Sequence, residues 1–586
     1  MGTMLLASRP GSYDARMRNH TTRLMGAILL AWLPVTFTIL CRCRASESPA
    51  LVVWTHHGSQ RILPDAQPGS VQEAHIAAAR GEWEPFQVVL RARGAKIERV
   101  SADMSALEGP GHRIAGDDIR LYREHCVYVR SASYRSDARP GVYPDALLPF
   151  IDPYTGKAVA PRGGGDTPAG AKYCASPFDL CEGAQEVLWV DVFVPRDAKA
   201  GDYRGALTAR GRGIAPVTIP VTLTVWDFEL PATPTLLSEF GGFERVAPRH
   251  DVEHGTEAYR RIERRYAEAC AQHRITPPVP RSLRPRVNAD GSLDASATHA
   301  ALEEYMDALH VNAINVERPP FRDPLGADRE KALRFLRETG RYLKDNDWLR
   351  GAYAYWIDEP NDAQAYEEVR RWGALLHEAD AGIAFLVTEQ TKTQDPAWGE
   401  LFGAVDIWVP LWPLHDEPTA AERRAKGERI WSYTALCQGG QPTPWWQIDF
   451  PLLNYRIPLW QSWRYRMEGL LYWTAVFWEQ ASDPWLDQPS FRGAYAGEGM
   501  LLYPGRDAGI EGPIATIRLK NIREGIEDYE YFAILARRMG REAAGGIVEK
   551  IAPAWTQWEH DAEKVLAARA AIAAQIIAPA PNATRP

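Results

Sequence analysis

The stretch Gly351–Ala–Tyr–Ala–Tyr–Trp–Ile–Asp–Glu–Pro360 decides how the chain is read. A short apolar and aromatic run of strand type leads into two adjacent carboxylates, Asp358 and Glu359. Pro360 has no N–H to donate and ends the ladder. A helical pattern follows, from about Asn361 to Glu378. The two acids therefore stand at the C-terminal end of a strand, on a strand-to-helix turn. In parallel α/β folds that edge carries the catalytic groups, and a carboxylate pair there suits acid–base chemistry. The same acids would also suit the first turn of the next helix, whose dipole favours negative charge. The rest of the chain bears on which role they play.

On both sides of this stretch the pattern is strand, then helix, repeatedly. Candidate strands start near Leu236, Ile275, Val311, Ala352, Ile383, Val405, Ile430 and Leu470. Helical periodicity falls near 255–272, 297–309, 328–346, 362–379, 417–427, 455–468 and 515–540. Eight such repeats predict a (β/α)8 TIM-type barrel over 235–545, with Asp358 and Glu359 closing its fourth strand. A doubly wound sheet fits the alternation too, but no Gly-rich phosphate loop of the GxGxxG or Walker type is present. From 46 to 230 the pattern is different. Runs such as Phe86–Leu90, Leu188–Val194, Gly201–Thr208 and Val217–Trp226 alternate partly and are separated by Gly, Pro and Asp. They predict an N-terminal antiparallel β-sandwich, giving a multidomain β plus α/β chain. Leu230–Pro–Ala–Thr–Pro234 marks the boundary. The Gly-, Pro- and Asp-rich segment Ser131–Gly183 reads as loops inserted in the sandwich and reaching towards the next domain. The tail, 546–586, is Ala-rich and helical, then Pro-rich and disordered.

The chain has 586 residues, too many for one ordinary core, and a formal net charge of −8 with both signs interspersed. No basic block offers a surface to nucleic acid, so no nucleic-acid partner is expected. The N-terminus predicts export. Arg16, Arg18 and Arg23 precede an apolar run from Leu24 to Leu40, and Ala45 offers a small residue for cleavage, giving a signal peptide over 1–45. Pro34 and the short run weigh against a membrane span, although a single anchor or a lipid anchor at Cys41 would use the same residues. Beyond the signal lie Cys126, Cys174, Cys181, Cys270 and Cys437. Cys174 and Cys181 are spaced to bridge in an oxidising compartment. No Cys/His pattern has zinc-site spacing, and neither metal nor cofactor is expected.

Tryptophan is the compositional outlier: 21 in all, with thirteen between Gly351 and Ser490. Flat indoles at strand ends grip the apolar faces of sugar rings, and the same residues also fill cores. The strand ends supply Trp356, Glu389, Trp412, Tyr433, Asp449 and Trp473 as candidate substrate-binding groups around Asp358 and Glu359. Aromatics with carboxylates, and no metal ligands, suit glycosidic-bond chemistry on an oligosaccharide or glycoconjugate.

Ala354–Tyr–Trp–Ile–Asp–Glu–Pro360 resembles the catalytic motif of glycoside hydrolase family 123. Gly469–Leu–Leu–Tyr–Trp473 and Gly497–Glu–Gly–Met–Leu–Leu–Tyr–Pro–Gly505 resemble later parts of the same domain. So do Thr516–Ile–Arg518 and Arg523–Glu–Gly–Ile–Glu–Asp–Tyr–Glu530. The resemblance implies an exo-acting β-N-acetylgalactosaminidase-like enzyme with a retaining, substrate-assisted mechanism. By position Glu359 would be the general acid/base and Asp358 would orient the 2-acetamido group. Two other readings stand beside it. One is a conventional two-carboxylate retaining glycosidase with Asp449 or Glu479 as nucleophile, its carboxyls about 5–5.5 Å apart. The other is a non-catalytic surface protein that binds carbohydrate. Glu527 and Asp528, preceded by Arg523, read as structural partners at helical spacing.

Overall fold

The computed structural model describes residues 49–162, 170–435, 442–479, 481–486, 490–491 and 493–579. The expected signal peptide over 1–45, Cys437 and the Pro-rich end beyond 579 lie outside the described residues. Among the described residues no helix is long and apolar enough to cross a membrane, and no cluster of His, Cys, Asp and Glu would hold a metal ion.

The N-terminal part is a sandwich of two sheets. The first runs in the order Ala50–His57, Trp83–Arg93, Gln185–Phe193, Ile119–Val129, Gly141–Pro149, antiparallel throughout. The second is built on Val217–Glu229, Gly201–Arg210 and Ile97–Met104. Alternation points Phe86, Val88 and Leu90 of the first sheet and Ile219, Val221 and Leu223 of the second into one shared core. The expected antiparallel pairing fails at one place. Ala74–Arg80 adds to Val217–Glu229 as a parallel edge strand, because the chain crosses from one sheet to the other before joining it. Cys174 and Cys181 are unbridged: Cys174 Sγ points at the carbonyls of Val159 and Ser176, and Cys181 is exposed.

The C-terminal part is an α/β domain with a curled parallel sheet. Its strands lie in the order Leu237–Glu239, Gly469–Leu471, Arg429–Tyr433, Ile407–Trp408, Ala384–Val387, Ala352–Ile357, Ile314–Asn315. Seven of the eight expected strands form, and the one expected at Ile275 does not. Its segment, Ile275–Thr–Pro–Pro–Val–Pro280, has three prolines that cannot donate to a ladder. Side chains hold it instead. Thr276 N donates to Ser238 Oγ (2.9 Å), and the Thr276 hydroxyl donates to Asn312. The concave side of the sheet is filled by Tyr353, Leu386, Ile407, Val409, Trp431 and Leu471. Gly469 lets Trp431 in: a Cβ there would lie 2.2 Å from the indole.

Helices cover the outer side, among them Glu257–Gln272, Arg329–Asp345 and Ala363–Ala379. The helix Ile517–Met539 is different. It carries a full set of charges and is buried over most of its length. Arg518 makes a bidentate pair with Asp145 (2.6 and 2.9 Å), and Arg523 another with Asp191 (2.8 and 2.8 Å), joined by Lys520 (2.8 Å). Asp528 takes Arg456 from the neighbouring helix Leu453–Arg464 (2.6 and 2.7 Å). Burial would raise the Asp191 carboxyl, but Arg523 and Lys520 hold it well below the usual carboxylate range. The Arg518 and Arg523 pairs weld the C-terminal part to the sandwich strands Gly141–Pro149 and Gln185–Phe193. The helical part of the tail joins the same interface. Arg569, on the helix Ala562–Ile577, pairs with Glu82 and Glu84 of the sandwich.

Candidate active site

Strict alternation along Ala352–Ile357 would send Asp358 outward with Trp356 and Glu359 inward. The structure breaks that parity. Tyr353 and Tyr355 face the concave side, but the register against Ala384–Val387 shifts between Tyr355 and Ile357. Trp356 and Ile357 then both pack outward into the helix layer, as a bulge permits. Asp358 turns back to the concave mouth, where its Oδ1 accepts from Tyr355 Oη (2.6 Å) and Thr388 Oγ1 (2.8 Å). Glu359 takes a left-handed backbone, φ 42°, at a cost of about 1–3 kcal/mol for a non-glycine residue. That turn brings its carboxylate to the same mouth, where Oε1 accepts from Tyr433 Oη (2.9 Å). Thr388 ties the two halves together: its Oγ1 also accepts from Glu359 N (2.7 Å).

Both carboxylates are exposed, whereas the groups that hold them are partly or wholly buried. Burial, and then the neighbouring carboxylate, push the Tyr355 and Tyr433 hydroxyls well above the usual phenol range. Both stay protonated and act as fixed donors. Pro360 is buried, and Asp362 caps the following helix through Ala365 N (2.8 Å). The helix-capping role falls to Asp362, leaving Asp358 and Glu359 free of it.

The expected substrate-binding residues divide. Tyr433 and Glu389 stand beside the pair. Glu389 is 3% exposed. Burial pushes its carboxyl up to about 7, with the Glu359 charge adding and hydrogen bonds from Gln390 N, Gln394 and Tyr366 opposing. Trp473, half-buried after the last strand, donates from Nε1 to the buried Glu498 (2.9 Å), which Gln447 also binds (2.5 Å).

Trp356, Trp412 and Asp449 depart from expectation. Trp356 lies in the helix layer against Trp372, its Nε1 on the Val316 carbonyl (2.7 Å). Trp412 is fully buried and stacked on Trp555 at 4.0 Å, so it has no free face for a sugar. Asp449 is buried, with Oδ2 accepting from Ser133 N (2.7 Å). Its partner belongs to the loop expected to reach out of the sandwich, which also places Tyr134 edge-on to Trp445. Glu479 is ion-paired with Arg245. Three groups had not been singled out. Tyr355 was hidden by the bulge. Asn315 accepts from Tyr355 N (3.2 Å), and Glu239 takes the Tyr353 hydroxyl. Both are polar residues ending parallel strands, which was the available signal.

Residues 311–535 match the family model described as "Glycoside hydrolase 123, catalytic domain". Among solved structures the chain resembles a family 123 glycoside hydrolase from Clostridium perfringens, described in terms of glycolipid glycan hydrolysis. That match has 13% identity and a TM-score of 0.62, covering 90% of this chain and 96% of the other. A family 5 xyloglucanase of Bacteroides ovatus (10% identity, TM-score 0.25) covers 78% of this chain and 98% of its own. A family 39 glycoside hydrolase of Bacteroides cellulosilyticus (11% identity, TM-score 0.30) covers 73% and 80%. No curated protein matches.

Proposed function

The chain belongs to glycoside hydrolase family 123 through this catalytic domain and is a glycoside hydrolase; from that premise we propose a retaining, substrate-assisted β-N-acetylhexosaminidase acting on a glycoconjugate glycan. The carrying observation is how unequally the two carboxylates are held. Asp358 Oδ1 is pinned by two hydroxyls, while Glu359 has one phenol on one oxygen and its other oxygen open. A pinned carboxylate suits orientation, and an open one suits proton transfer.

In the proposed reaction Asp358 accepts the 2-acetamido N–H and aligns its carbonyl oxygen with the anomeric carbon. That oxygen forms the new C–O bond as the glycosidic C–O bond breaks, and Glu359 gives its proton to the leaving oxygen. The Glu359 carboxylate then takes a proton from water, which opens the ring intermediate with net retention. Substrate assistance replaces the second carboxylate of the conventional scheme. The alternative nucleophiles weigh on the same side, since Asp449 is committed to Ser133 and Glu479 to Arg245. We further propose export, on the sequence pattern before residue 46.

The test uses aryl glycosides with and without the 2-acetamido group, over good and poor leaving groups. Glu359→Gln should lose about 10²–10⁴-fold on poor leaving groups and less on activated ones. Asp358→Asn should impair every 2-acetamido substrate alike, and a thiazoline should inhibit the wild type. An Asp358→Asn enzyme of near wild-type rate that ignores thiazoline would sink the substrate-assisted scheme.

A further inference from the structure

At the end of the parallel sheet opposite the carboxylates, where the strands begin, a cavity of about 800 Å3 opens beside Leu237, Ile314 and Gly351. Its charged lining is Arg350, Arg429, Arg537 and Arg541 against Asp347 and Glu468. In a chain of net charge −8 this local excess of cations needs a cause. Among the described residues, only Arg429 of these four pairs with a carboxylate, Glu468 (2.8 Å). Arg350 and Arg537 make no ion pair and no side-chain hydrogen bond among the described residues. The nearest acid to Arg537 along its own helix, Glu530, is buried and held by Thr235 N and Oγ1 (2.5 and 2.7 Å).

Helix-end chemistry explains only part of this. Arg537 and Arg538 share the last turn of Ile517–Met539, where the dipole favours cations. Arg538 uses its position to bind the Ala578 carbonyl, whereas Arg537 lines the cavity. Arg541 lies over the Trp463 ring at 4.0 Å and donates from one guanidinium nitrogen to the Trp463 carbonyl, leaving its other nitrogens for the cavity. Burial lowers its pKa, and the adjoining Arg466 and Arg424 lower it further, against Tyr529 and Glu542. Guanidiniums from a strand-leading turn, a helix end and the following loop line one cavity, and an anion seated among them would be attracted by each.

We propose that this basal cavity binds a phosphate or sulfate oxyanion, free or esterified to a sugar, through Arg350, Arg537 and Arg541. Guanidinium forks match the geometry of such anions, and half-buried Trp348 beside them offers an apolar wall to a sugar. The site is independent of the hydrolytic mechanism proposed above.

Isothermal titration of the full chain with inorganic phosphate, inorganic sulfate and glucose 6-phosphate tests it, at fixed ionic strength against sodium chloride. The double variant Arg350→Ala/Arg537→Ala removes two exposed side chains that make no ion pair among the described residues, Arg537 acting on the buried Glu530 only through its charge. It should weaken oxyanion binding by about tenfold or more, the scale of one lost charge-assisted contact, and leave hydrolysis of an activated aryl glycoside unchanged. Tighter binding of the ester than of inorganic phosphate identifies a sugar-borne anion, and equal binding identifies the free ion. Heats no larger than with chloride, or equal affinity in the double variant, overturn the proposal.

Discussion

Replacing Thr388 by valine removes one hydroxyl and keeps the shape of the side chain. That hydroxyl donates to Asp358 Oδ1 at 2.8 Å and accepts from Glu359 N at 2.7 Å, so two functional residues lose a partner at once. A hydrogen bond to a charged group is worth about 1.5–3 kcal/mol. Asp358 is exposed and keeps Tyr355 at 2.6 Å, so water makes up part of the loss. The Glu359 N–H, facing a methyl group, has no such replacement, and the left-handed turn at φ 42° loses its tether. We expect the transition state to lose about 1.5–3 kcal/mol, a fall of roughly 10–100-fold in kcat with KM little changed, because orientation is lost rather than uniform binding. Thr388→Ser retains the hydroxyl and should stay within about threefold of wild type. Steady-state kinetics on a 2-acetamido aryl glycoside decide it. A valine variant with wild-type kcat, or a folded serine variant as slow as valine, would refute the role given to this hydroxyl.

Folding favours the neutral form of Glu389, whose carboxyl is pushed up to about 7, so its contribution to stability is complete below the unfolded carboxyl value and is lost as pH rises through 7. Glu389→Gln stays neutral and should gain on wild type by about 2 kcal/mol between pH 5 and pH 8 in urea unfolding; a gap that does not widen counts against a buried, proton-holding Glu389. Truncation after His560 removes Arg569 and leaves Glu82 and Glu84 without their buried partner. Stability should drop by about 3–5 kcal/mol, and a truncated chain that melts with the full one would show the terminal helix to be dispensable.

The helices were legible because their signals are local. Glu257–Gln272 and Ala363–Ala379 begin where a capping Thr256 and Asp362 precede the apolar periodicity, and both caps accept backbone N–H groups in the structure. The strands after Leu236, Val311, Ala352, Ile383, Val405, Ile430 and Leu470 were legible for the same reason, as apolar runs between turns. Ile275 begins an apolar run too, but its prolines outweigh the pattern, and the ladder gives way to Ser238 and Asn312 side chains. The indoles were the least legible. A tryptophan at a strand end has the same sequence signature whether it faces the mouth, as expected of Trp412, or a second indole, as Trp412 does with Trp555. That partner lies 143 residues away in the chain, beyond the reach of any local pattern. Glu527 and Asp528 read as structural partners of Arg523 at helical spacing. One such pair exists, Arg523 with Glu527 at 3.8 Å, but the close partners are Asp145, Asp191 and Arg456.

The carboxylate pair itself shows why its position was legible and its geometry was not. Asp–Glu–Pro at the end of an apolar run places two acids at the mouth of a parallel sheet by rule. Alternation then predicts that they diverge, one inward and one outward. The shift after Tyr355 and the left-handed turn at Glu359 together cancel that divergence. Neither is encoded in the tripeptide, and both depend on Thr388 and Tyr433 from other strands. The strain is therefore held by hydroxyls, none of which titrates in the range where carboxylates do. The two phenols are pushed upward in pKa by burial and by the acids they serve. The frame around Asp358 and Glu359 keeps its donors as pH changes, while Glu389 adds a charge beside Glu359 as pH rises through 7. An enzyme built this way fixes both of its acids with hydroxyls that stay protonated, so the placing of Asp358 and Glu359 does not change with pH.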